Sequence, residues 1–444
     1  MDFAAAIGEL EAALKFGIDS SLDGIRALTE AMGRPQDLFA SVQTTGTNGK
    51  SSTTRLVAAL LAVEGVCTAA YTSPHLESYT ERIELGGAPV SQGDFALAMT
   101  AAVDAAAAAA AVGGGARSFT EFELLTAAAL WLMRERGVDI ACLEVGMGGR
   151  WDSTSVVEPS VAVITGVGLD HTERLGSTVE AIAADKSQII KPGASVVLGP
   201  GTTGVADVFL GRAAGFGLHP RFVAADDAPS PVHEALTVRF LVRRRPDRPG
   251  GTLALDVRGI HGEYAGLELA APAYQAPNVA TAVAAAECAL GRALDVDSAR
   301  GALAAMTFPG RFELLSAEPP LVIDGAHNPQ AAGVLAEGIL DAWPDDRSRP
   351  LCVLGVLTDK DAAGIVRALA PAVDGFVVTQ PDSPRARAAA DLAAIVEYET
   401  GSWPEIRPAL ADAIAHAREH AGARGAIVTG SLYTAGQARS LLRP

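Results

Sequence analysis

The chain has 444 residues, a length that predicts two or three domains. Its residues are 49% hydrophobic and 20% charged, a composition that allows packed cores. Acidic residues outnumber basic ones by 52 to 35, and the net charge of −17 argues against non-specific nucleic-acid binding, which needs a basic surface. The cysteines are far apart and form no CxxC pair, as expected for reduced thiols in a cytoplasmic protein: Cys67, Cys142, Cys288 and Cys352. Neither a signal peptide nor a membrane span is predicted.

Short apolar runs alternate with helical patterns in the first two thirds of the chain. Strands are predicted at 38–45, 139–145 and 160–166, and the first is followed by a glycine-rich turn and a helix through Leu61. Strands that are buried on both faces and separated by helices favour a mainly parallel sheet. Residues 237–269 have shorter, alternating runs, which indicate a small antiparallel insertion.

A second α/β pattern begins after Phe308. Strands are predicted at 321–323, 351–354, 375–379 and 425–429, with helices between them. The fold class is therefore α/β with two domains. The expected division is an N-terminal domain of residues 1–306, with a phosphate loop, and a Rossmann-like C-terminal domain of residues 307–444.

A glycine-rich sequence joins the first predicted strand to its helix: Gly46-Thr47-Asn48-Gly49-Lys50-Ser51. Glycines let backbone N–H groups at a helix N-terminus approach phosphate oxygens. The lysine then adds a cation, and the serine hydroxyl can bind magnesium. The generic phosphate-loop pattern requires glycine at position 44, where the chain has Thr44, so only a shorter form is present. The context favours nucleotide binding over a strand–helix turn that binds nothing.

Polar residues follow two predicted strands. Glu144 ends the strand at 139–145, and Asp170 and His171 follow the strand at 160–166. Ligands of open parallel sheets bind beyond the carboxyl ends of the strands, so these residues are expected to face the crevice of the phosphate loop. A carboxylate suits magnesium, whereas His171 taken alone is more typical of a helix cap or packing residue. Lys186 taken alone is more typical of a surface lysine paired with Asp185.

Two further polar features belong to the predicted C-terminal domain. Arg311 follows Pro309-Gly310 at the domain junction, and the turn at 324–329, Asp-Gly-Ala-His-Asn-Pro, follows a predicted strand. Such a turn is either a well-capped structural turn or part of a nucleotide site, in which case Arg311 and Asp324 would close over the nucleotide.

Together these motifs resemble the folylpolyglutamate synthase/dihydrofolate synthase family of the Mur ligase superfamily, from about residue 18 to residue 433. Besides the phosphate loop, the matching segments are 72–76 with 81–83, 144–152, 169–172, 185–186, 277–278, 309–313, 324–329, 359–361, 383–386 and 429–433. The phosphate loop alone indicates only the wider ligase group. Segments 72–83 and 144–152 are more particular to the folate branch.

The resemblance implies a function for individual residues. ATP would be bound by Gly46, Thr47, Asn48, Gly49, Lys50 and Ser51, with Asn278 on the adenine, Arg311 on the phosphates and Asp324 on the nucleotide. One or two magnesium ions would be held by Ser51, Ser73, Glu144, His171 and Lys186, the last as its carbamate. The folate pocket would comprise Leu22, Asp23, Thr120, Trp151, Asp152 and Ser153, and His327 and Ser383 are additional candidates. The implied catalytic residues are Lys50, Glu144, His171, Lys186 and Arg311.

The implied reaction joins L-glutamate to a folate or dihydropteroate. ATP phosphorylates the carboxylate of the acid, and the amine of glutamate attacks the resulting acyl phosphate. Domain closure would exclude water, which would hydrolyse that intermediate. The implied partners are therefore ATP, L-glutamate and folate or dihydropteroate, in a cytoplasmic monomer, and the resemblance leaves room for a monovalent cation.

Some positions depart from the family pattern. Asp185 and Tyr274 stand where the family often has Glu and His, which are tolerable replacements. Trp151 replaces a smaller apolar residue beside the pocket, so a Mur-type amide ligase that acts on a different carboxylate stays open. A nucleotide-binding module without turnover is a third hypothesis.

Overall fold

The computed structural model describes residues 1–17, 19–112 and 118–442. Ile18, at which the family resemblance begins, lies outside the described residues, as do 113–117 and 443–444. The chain divides into two compact units. The first comprises Met1–Leu241, Asp256–Ala265 and Pro277–Leu303, and the second comprises Val242–Leu255, Gly266–Ala276 and Ala304–Pro444. The domain boundary near residue 307 stays a prediction.

The larger of the two sheets carries most of the first unit. Its strands are β1 (Ala40–Thr45), β2 (Thr68–Tyr71), β3 (Ile83–Leu85), β4 (Ala88–Pro89), β5 (Ile140–Glu144), β6 (Val161–Gly166), β7 (Ser195–Gly201), β8 (Arg221–Ala225), β9 (Thr237–Arg244), β10 (Thr252–Arg258) and β11 (Glu263–Ala270). Their order is β11-β10-β9-β8-β7-β6-β1-β5-β2-β3-β4. Strand β9 pairs in parallel with β8, so residues 237–269, predicted as a small insertion, extend the large sheet.

The centre of this sheet is parallel, as the sequence predicts. Strand β1 lies between β5 and β6 and pairs in parallel with both. Every residue of β5 and β6 is buried, which explains their almost uninterrupted apolar sequences. The register places Thr44 opposite Glu144, so the carboxyl ends of β1 and β5 meet at one edge. Strand β1 begins at Ala40, two residues later than predicted, because Leu38 ends a short 3₁₀ turn.

The α-helices that accompany these strands are α1 (Phe3–Ala13), α2 (Asp23–Ala31), α3 (Lys50–Val63), α4 (Gln92–Val112), α5 (Glu121–Glu135), α6 (Thr172–Leu175), α7 (Val179–Lys186), α8 (Ala206–Ala214), α9 (Ala276–Leu290) and α10 (Val296–Ala304). Among the described residues, α4 alone is long and apolar enough to cross a membrane by length and composition. It packs against α1, α2 and α5, and Phe95, Met99 and Ala102 are fully buried there. These contacts identify α4 as a core helix of the first unit.

The second unit has its own six-stranded sheet. Its strands are β12 (Glu313–Ala317), β13 (Pro320–Ile323), β14 (Leu351–Leu354), β15 (Gly375–Val378), β16 (Glu405–Ile406) and β17 (Ala426–Thr429), in the order β12-β13-β17-β14-β15-β16. Within the described part of this sheet, β12 pairs antiparallel with β13 and the other pairs are parallel. The helices are α11 (Pro329–Ala342), α12 (Ala362–Leu369), α13 (Ala389–Thr400), α14 (Leu410–Ala421) and α15 (Leu432–Leu442). The predicted α/β class is confirmed for both units.

Candidate active site

The phosphate loop leaves β1 at Thr45 and enters α3 at Lys50. Two of its positions require glycine. Gly49 has φ +82°, and a Cβ there would lie 2.6 Å from Asn278 Oδ1, whereas a Cβ on Gly46 would collide with Thr165 Oγ1. The backbone can therefore approach a ligand closely, and Asn278, predicted to contact adenine, lies directly against the loop.

Hydrogen bonds to the end of β6 and to the segment that follows it hold the loop in place. Thr165 Oγ1 donates to the Asn48 carbonyl at 2.6 Å. Thr47 Oγ1 donates to the Gly168 carbonyl at 3.1 Å and accepts from the Gly168 amide at 2.9 Å. Sequence reasoning missed Thr165, whose only signal is its position at the end of a predicted strand. These contacts organise the loop before any phosphate arrives.

Lys50 lies against its own loop. Its Nζ donates to the carbonyls of Gly46 at 3.1 Å and Thr47 at 3.2 Å. The Lys50 ammonium thus lies at the phosphate loop. A bound phosphate would accept stronger, charge-assisted hydrogen bonds from it than these carbonyls do.

Glu144 joins three parts of the chain. Its side chain is buried, with 1% of the residue exposed. Oε1 accepts a hydrogen bond from Ser51 Oγ at 2.9 Å, and Oε2 accepts one from the Ser73 amide at 3.0 Å. A buried carboxylate beside a serine hydroxyl at the end of a phosphate loop is the kind of oxygen donor set that magnesium prefers. The structure therefore brings together three of the predicted metal ligands.

Lys186 contradicts the interpretation as a surface lysine paired with Asp185. The residue is 4% exposed, and its Nζ donates to the Gly46 carbonyl at 3.0 Å. Asp185 instead faces the turn after β5, where its Oδ1 accepts from the Arg150 amide at 3.3 Å. Burial first, and then the nearby Lys50 ammonium, lower the pKa of Lys186 to about 7. The Lys186 side chain is thus buried beside the phosphate loop and belongs to that site.

His171 occupies the N-cap position of α6 with φ +52°, but its side chain does not cap the helix. Its backbone amide donates to Asp170 Oδ1 at 2.9 Å, and the residue is exposed. The described part of the chain contains no group of three or more His, Cys, Asp or Glu side chains placed to hold a metal. A metal at this site would thus need ligands of other kinds, the serine oxygens and a modified Lys186, besides Glu144 and His171.

The turn after β5 contributes three predicted pocket residues. Asp152 is buried, and its carboxylate accepts from the Met147 amide at 2.9 Å and from the amide and hydroxyl of Thr154 at 3.0 and 2.6 Å. Burial raises the pKa of this carboxyl group. Ser153 is also buried, whereas Trp151 is 48% exposed. Asp152 therefore shapes the turn, and Trp151 presents an aromatic ring at the surface.

The remaining pocket residues lie where α2 meets α5. Thr120 and Glu123 form a capping box, with the Thr120 amide donating to Glu123 Oε2 at 2.8 Å. A Cβ on Gly24 of α2 would collide with Glu123 Oε1. The first turn of α2, with Leu22 and Asp23 at its start, consequently packs directly against the cap of α5.

Sequence reasoning assigned no function to the network in the loop after Ser73. The carboxylate of Glu81 accepts from three backbone amides, those of Leu76, Glu77 and Ser78, at 2.8 to 3.0 Å. Arg82 Nε donates to His75 Nδ1 at 3.0 Å, and burial and the Arg82 charge lower the pKa of His75 to about 4. The Ser78-x-x-Glu81 spacing is a capping-box pattern and was the available signal.

In the second unit, Asp324 organises the turn after β13. The residue is 4% exposed. Oδ2 accepts from the Phe312 amide at 2.8 Å and from the Tyr274 hydroxyl at 3.3 Å, and Oδ1 accepts from the Ala326 amide at 2.8 Å. Burial raises the pKa of Asp324, and the charge of Arg311 opposes that shift.

The rest of this turn is also well capped. His327 Nδ1 lies 2.9 Å from the Gly325 carbonyl, and Asn328 Oδ1 accepts from the Ala331 amide at the start of α11. Ser383 Oγ accepts from the Arg385 amide at 3.3 Å. The turn is therefore well capped, and the nucleotide contacts of Arg311 and Asp324 stay predictions.

The phosphate loop, the buried Glu144 and the second α/β unit define a class of protein. Residues 44–198 match the Mur ligase middle domain, and residues 310–431 match the Mur ligase, glutamate ligase domain. The chain is an ATP-dependent ligase of the Mur type.

Similarity to individual proteins narrows this class. The dihydrofolate synthase/folylpolyglutamate synthase of Mycobacterium tuberculosis is 36% identical over 96% of this chain and 90% of its own length. The folylpolyglutamate synthase of Lacticaseibacillus casei is 34% identical over 94% and 93%. The structure of the M. tuberculosis folylpolyglutamate synthase complexed with ADP superimposes with a TM-score of 0.89 at 34% identity, covering 100% of this chain and 99% of that one. The chain belongs to the folylpolyglutamate synthase/dihydrofolate synthase family.

Proposed function

We propose that this chain joins L-glutamate to the carboxylate of a folate or a dihydropteroate. ATP donates the phosphoryl group that converts this carboxylate to an acyl phosphate. The convergence of Ser51, Glu144 and Lys186 on the phosphate loop carries the proposal, because phosphoryl transfer needs positioned charge rather than a covalent catalyst. Family membership supports the acid and the amino acid. A relative from Escherichia coli has been solved in complex with DHPP and ADP, with a TM-score of 0.84 at 28% identity, covering 99% of this chain and 97% of that one.

The loop residues divide the work of binding ATP. The backbone amides of residues 46–51 donate hydrogen bonds to the phosphate oxygens at the N-terminus of α3, as glycine-rich loops do. Lys50 exchanges its carbonyl partners for phosphate oxygens and offsets the charge that develops during transfer. Ser51, Ser73, Glu144 and His171 would hold magnesium, which supplies further positive charge to the phosphoryl group.

Lys186 fits the predicted carbamate. A neutral amine attacks CO₂, a C–N bond forms, one proton is released, and an anionic carbamate results. The lowered pKa of Lys186 makes the neutral amine available near pH 7. The carbamate would replace a buried cation by an oxygen ligand for a second magnesium ion. Activity that rises with added bicarbonate at fixed pH would support this modification.

Other assignments complete the proposal. Asn278 contacts the adenine, and Arg311 and Asp324 contribute to nucleotide binding. Residues 1–306 form the ATP-binding domain and residues 307–444 the glutamate ligase domain. The enzyme works as a cytoplasmic monomer, with His327 and Ser383 as further site residues and a monovalent cation as an additional ligand.

The direct test is ADP release with dihydropteroate or a reduced folate, with and without L-glutamate. We expect turnover that depends on both the acid and glutamate, and that is lost in Lys50→Ala. If ATP binds but no acid supports glutamate-dependent turnover, the chain is a nucleotide-binding module and the proposal is wrong.

A second candidate is a Mur-type ligase that acts on another carboxylate. It is favoured by Trp151, which is half exposed beside the buried Asp152 and replaces a smaller residue of the family pattern. A screen of carboxylic acids for glutamate-dependent phosphate release separates the two candidates. If Trp151 contacts a pterin ring, Trp151→Leu raises KM for the folate substrate and leaves KM for ATP unchanged.

A further inference from the structure

Two histidines lie one helical turn apart on α14 of the second unit. Four positions separate His416 from His420, so both side chains are on the same side of the helix. Their ring centroids are 3.9 Å apart and the ring planes differ by 19°. His420 is exposed and His416 is half-buried. Neither residue belongs to the predicted catalytic or binding set, so the pair needs a separate explanation.

A backbone contact determines which nitrogen of His420 is available. Its Nδ1 lies 2.9 Å from the carbonyl oxygen of His416. A carbonyl oxygen only accepts hydrogen bonds, so Nδ1 carries the proton. Nε2 of the neutral ring then keeps its lone pair. Metal-binding histidines are commonly held in this way, with the second ring nitrogen donating to a carbonyl.

The charges near the pair are balanced. Asp412 precedes His416 by one turn on the same side of α14, and Glu419 is adjacent to His420. Arg424 donates to the His420 carbonyl at 3.4 Å, but its guanidinium is paired with Asp374. The positive charge of Arg424 is therefore already paired with a carboxylate.

We propose that His416 and His420 form a surface site for a transition-metal dication of the Zn²⁺, Ni²⁺ or Cu²⁺ type. Two histidines at positions i and i+4 are the spacing with which one helix face supplies ligands to zinc, and imidazole suits all three ions. The two rings are stacked, so binding requires the half-buried His416 ring to turn about Cβ–Cγ until its Nε2 faces the Nε2 of His420. The hydrogen bond of His420 Nδ1 is kept, and water completes the coordination of the ion.

The proposed ion differs from the magnesium of the phosphate loop. Magnesium prefers oxygen ligands and does not select an imidazole pair. The described residues offer no third His, Cys, Asp or Glu in position, so the site holds its ion with two protein ligands. It is consequently weaker than a structural zinc site, which uses four.

The test is isothermal titration calorimetry of the full chain with NiCl₂, in millimolar Mg²⁺ to saturate oxygen-ligand sites. We expect one nickel site in the wild type. Its affinity should fall by about ten-fold or more in His416→Ala and equally in His420→Ala, since loss of even an outer partner of a metal ligand costs that much. His261→Ala, which removes an exposed histidine without a second one a turn away, is the matched control and should bind as the wild type does.

Two results would overturn the proposal. If neither α14 variant changes nickel affinity, the pair is not a metal site. If only one of them does, the ion has a single histidine ligand. Circular dichroism of both variants checks that α14 is intact, and His420→Gln, which keeps a polar side chain, should show the same loss. Because ADP release should be unchanged in all variants, failure here does not depend on the proposed ligase function.

Discussion

Replacing Lys186 by methionine tests the physical basis of the site. The amine is buried and its pKa is lowered to about 7, against an ordinary value of 10.5 in the unfolded chain. Between these pH values the unfolded chain binds more protons than the folded protein. Lys186 therefore makes the free energy of unfolding rise with pH over that window, by about 1.4 kcal/mol per pH unit.

Methionine has a similar volume and no charge, so Lys186→Met removes this dependence. Replacing a buried charge by an apolar side chain is often stabilising by about 1–4 kcal/mol, and we expect such a gain at pH 6. The difference in free energy of unfolding between Lys186→Met and the wild type should shrink by about 3 kcal/mol between pH 6 and pH 9. The reason is that the wild-type amine is already neutral in the folded state above pH 7.

The assay is urea unfolding at pH 6, 7, 8 and 9, followed by circular dichroism. Lys15→Met, which removes an exposed lysine, is the control, and its free energy of unfolding should change with pH as that of the wild type does. A parallel curve for Lys186→Met as well would refute the reasoning that a buried amine changes its protonation on folding. ADP release should nevertheless be lost in both Lys186→Met and Lys186→Arg, since neither side chain can form a carbamate.

Three further predictions concern single contacts. Lys50→Ala should lower the rate of ADP release by about 10²–10³, as for other lost electrostatic contacts, and an unchanged rate would remove Lys50 from the mechanism. Glu144→Gln keeps the shape of the side chain but loses its charge, so the Mg²⁺ concentration for half-maximal ADP release should rise by about ten-fold or more; the same Mg²⁺ dependence as the wild type would exclude Glu144 as a ligand. Asp324→Ala leaves the Phe312 and Ala326 amides without their acceptor and should lower the free energy of unfolding by about 1–3 kcal/mol, whereas an unchanged urea midpoint would show that this turn does not depend on Asp324.

Much of the fold was predictable because local sequence and burial agree. The short apolar runs that end at Glu144 and Gly166 favoured strands buried on both faces, and they are β5 and β6. The glycines of the phosphate loop predicted a backbone that can approach a phosphate closely. Thr165 and Asn278 occupy the space that a Cβ on Gly46 or Gly49 would need, which explains why side chains are excluded there. Both features were visible in a few consecutive residues, although Thr165 and Asn278 come from distant parts of the chain.

What the sequence alone could not predict depends on distant parts of the chain. Lys186 follows Asp185, and that pairing is the ordinary interpretation of such a dipeptide. Its burial against the Gly46 carbonyl, 140 residues away, arises only when α7 packs beside the phosphate loop. The same holds for Glu287, which is fully buried and accepts from the amides of His261 and Gly262 at 3.0 and 2.9 Å. Nothing in its local sequence distinguishes it from a surface glutamate.

Mass spectrometry of the reaction products tests the central claim most directly. Purified enzyme is incubated with ATP, Mg²⁺ and L-glutamate, and with dihydropteroate and tetrahydrofolate in parallel. We expect a product heavier than at least one of these acids by one glutamyl residue, formed in equal amount with ADP and absent without glutamate. ATP-dependent turnover of another carboxylic acid, with neither of these two extended, would contradict it.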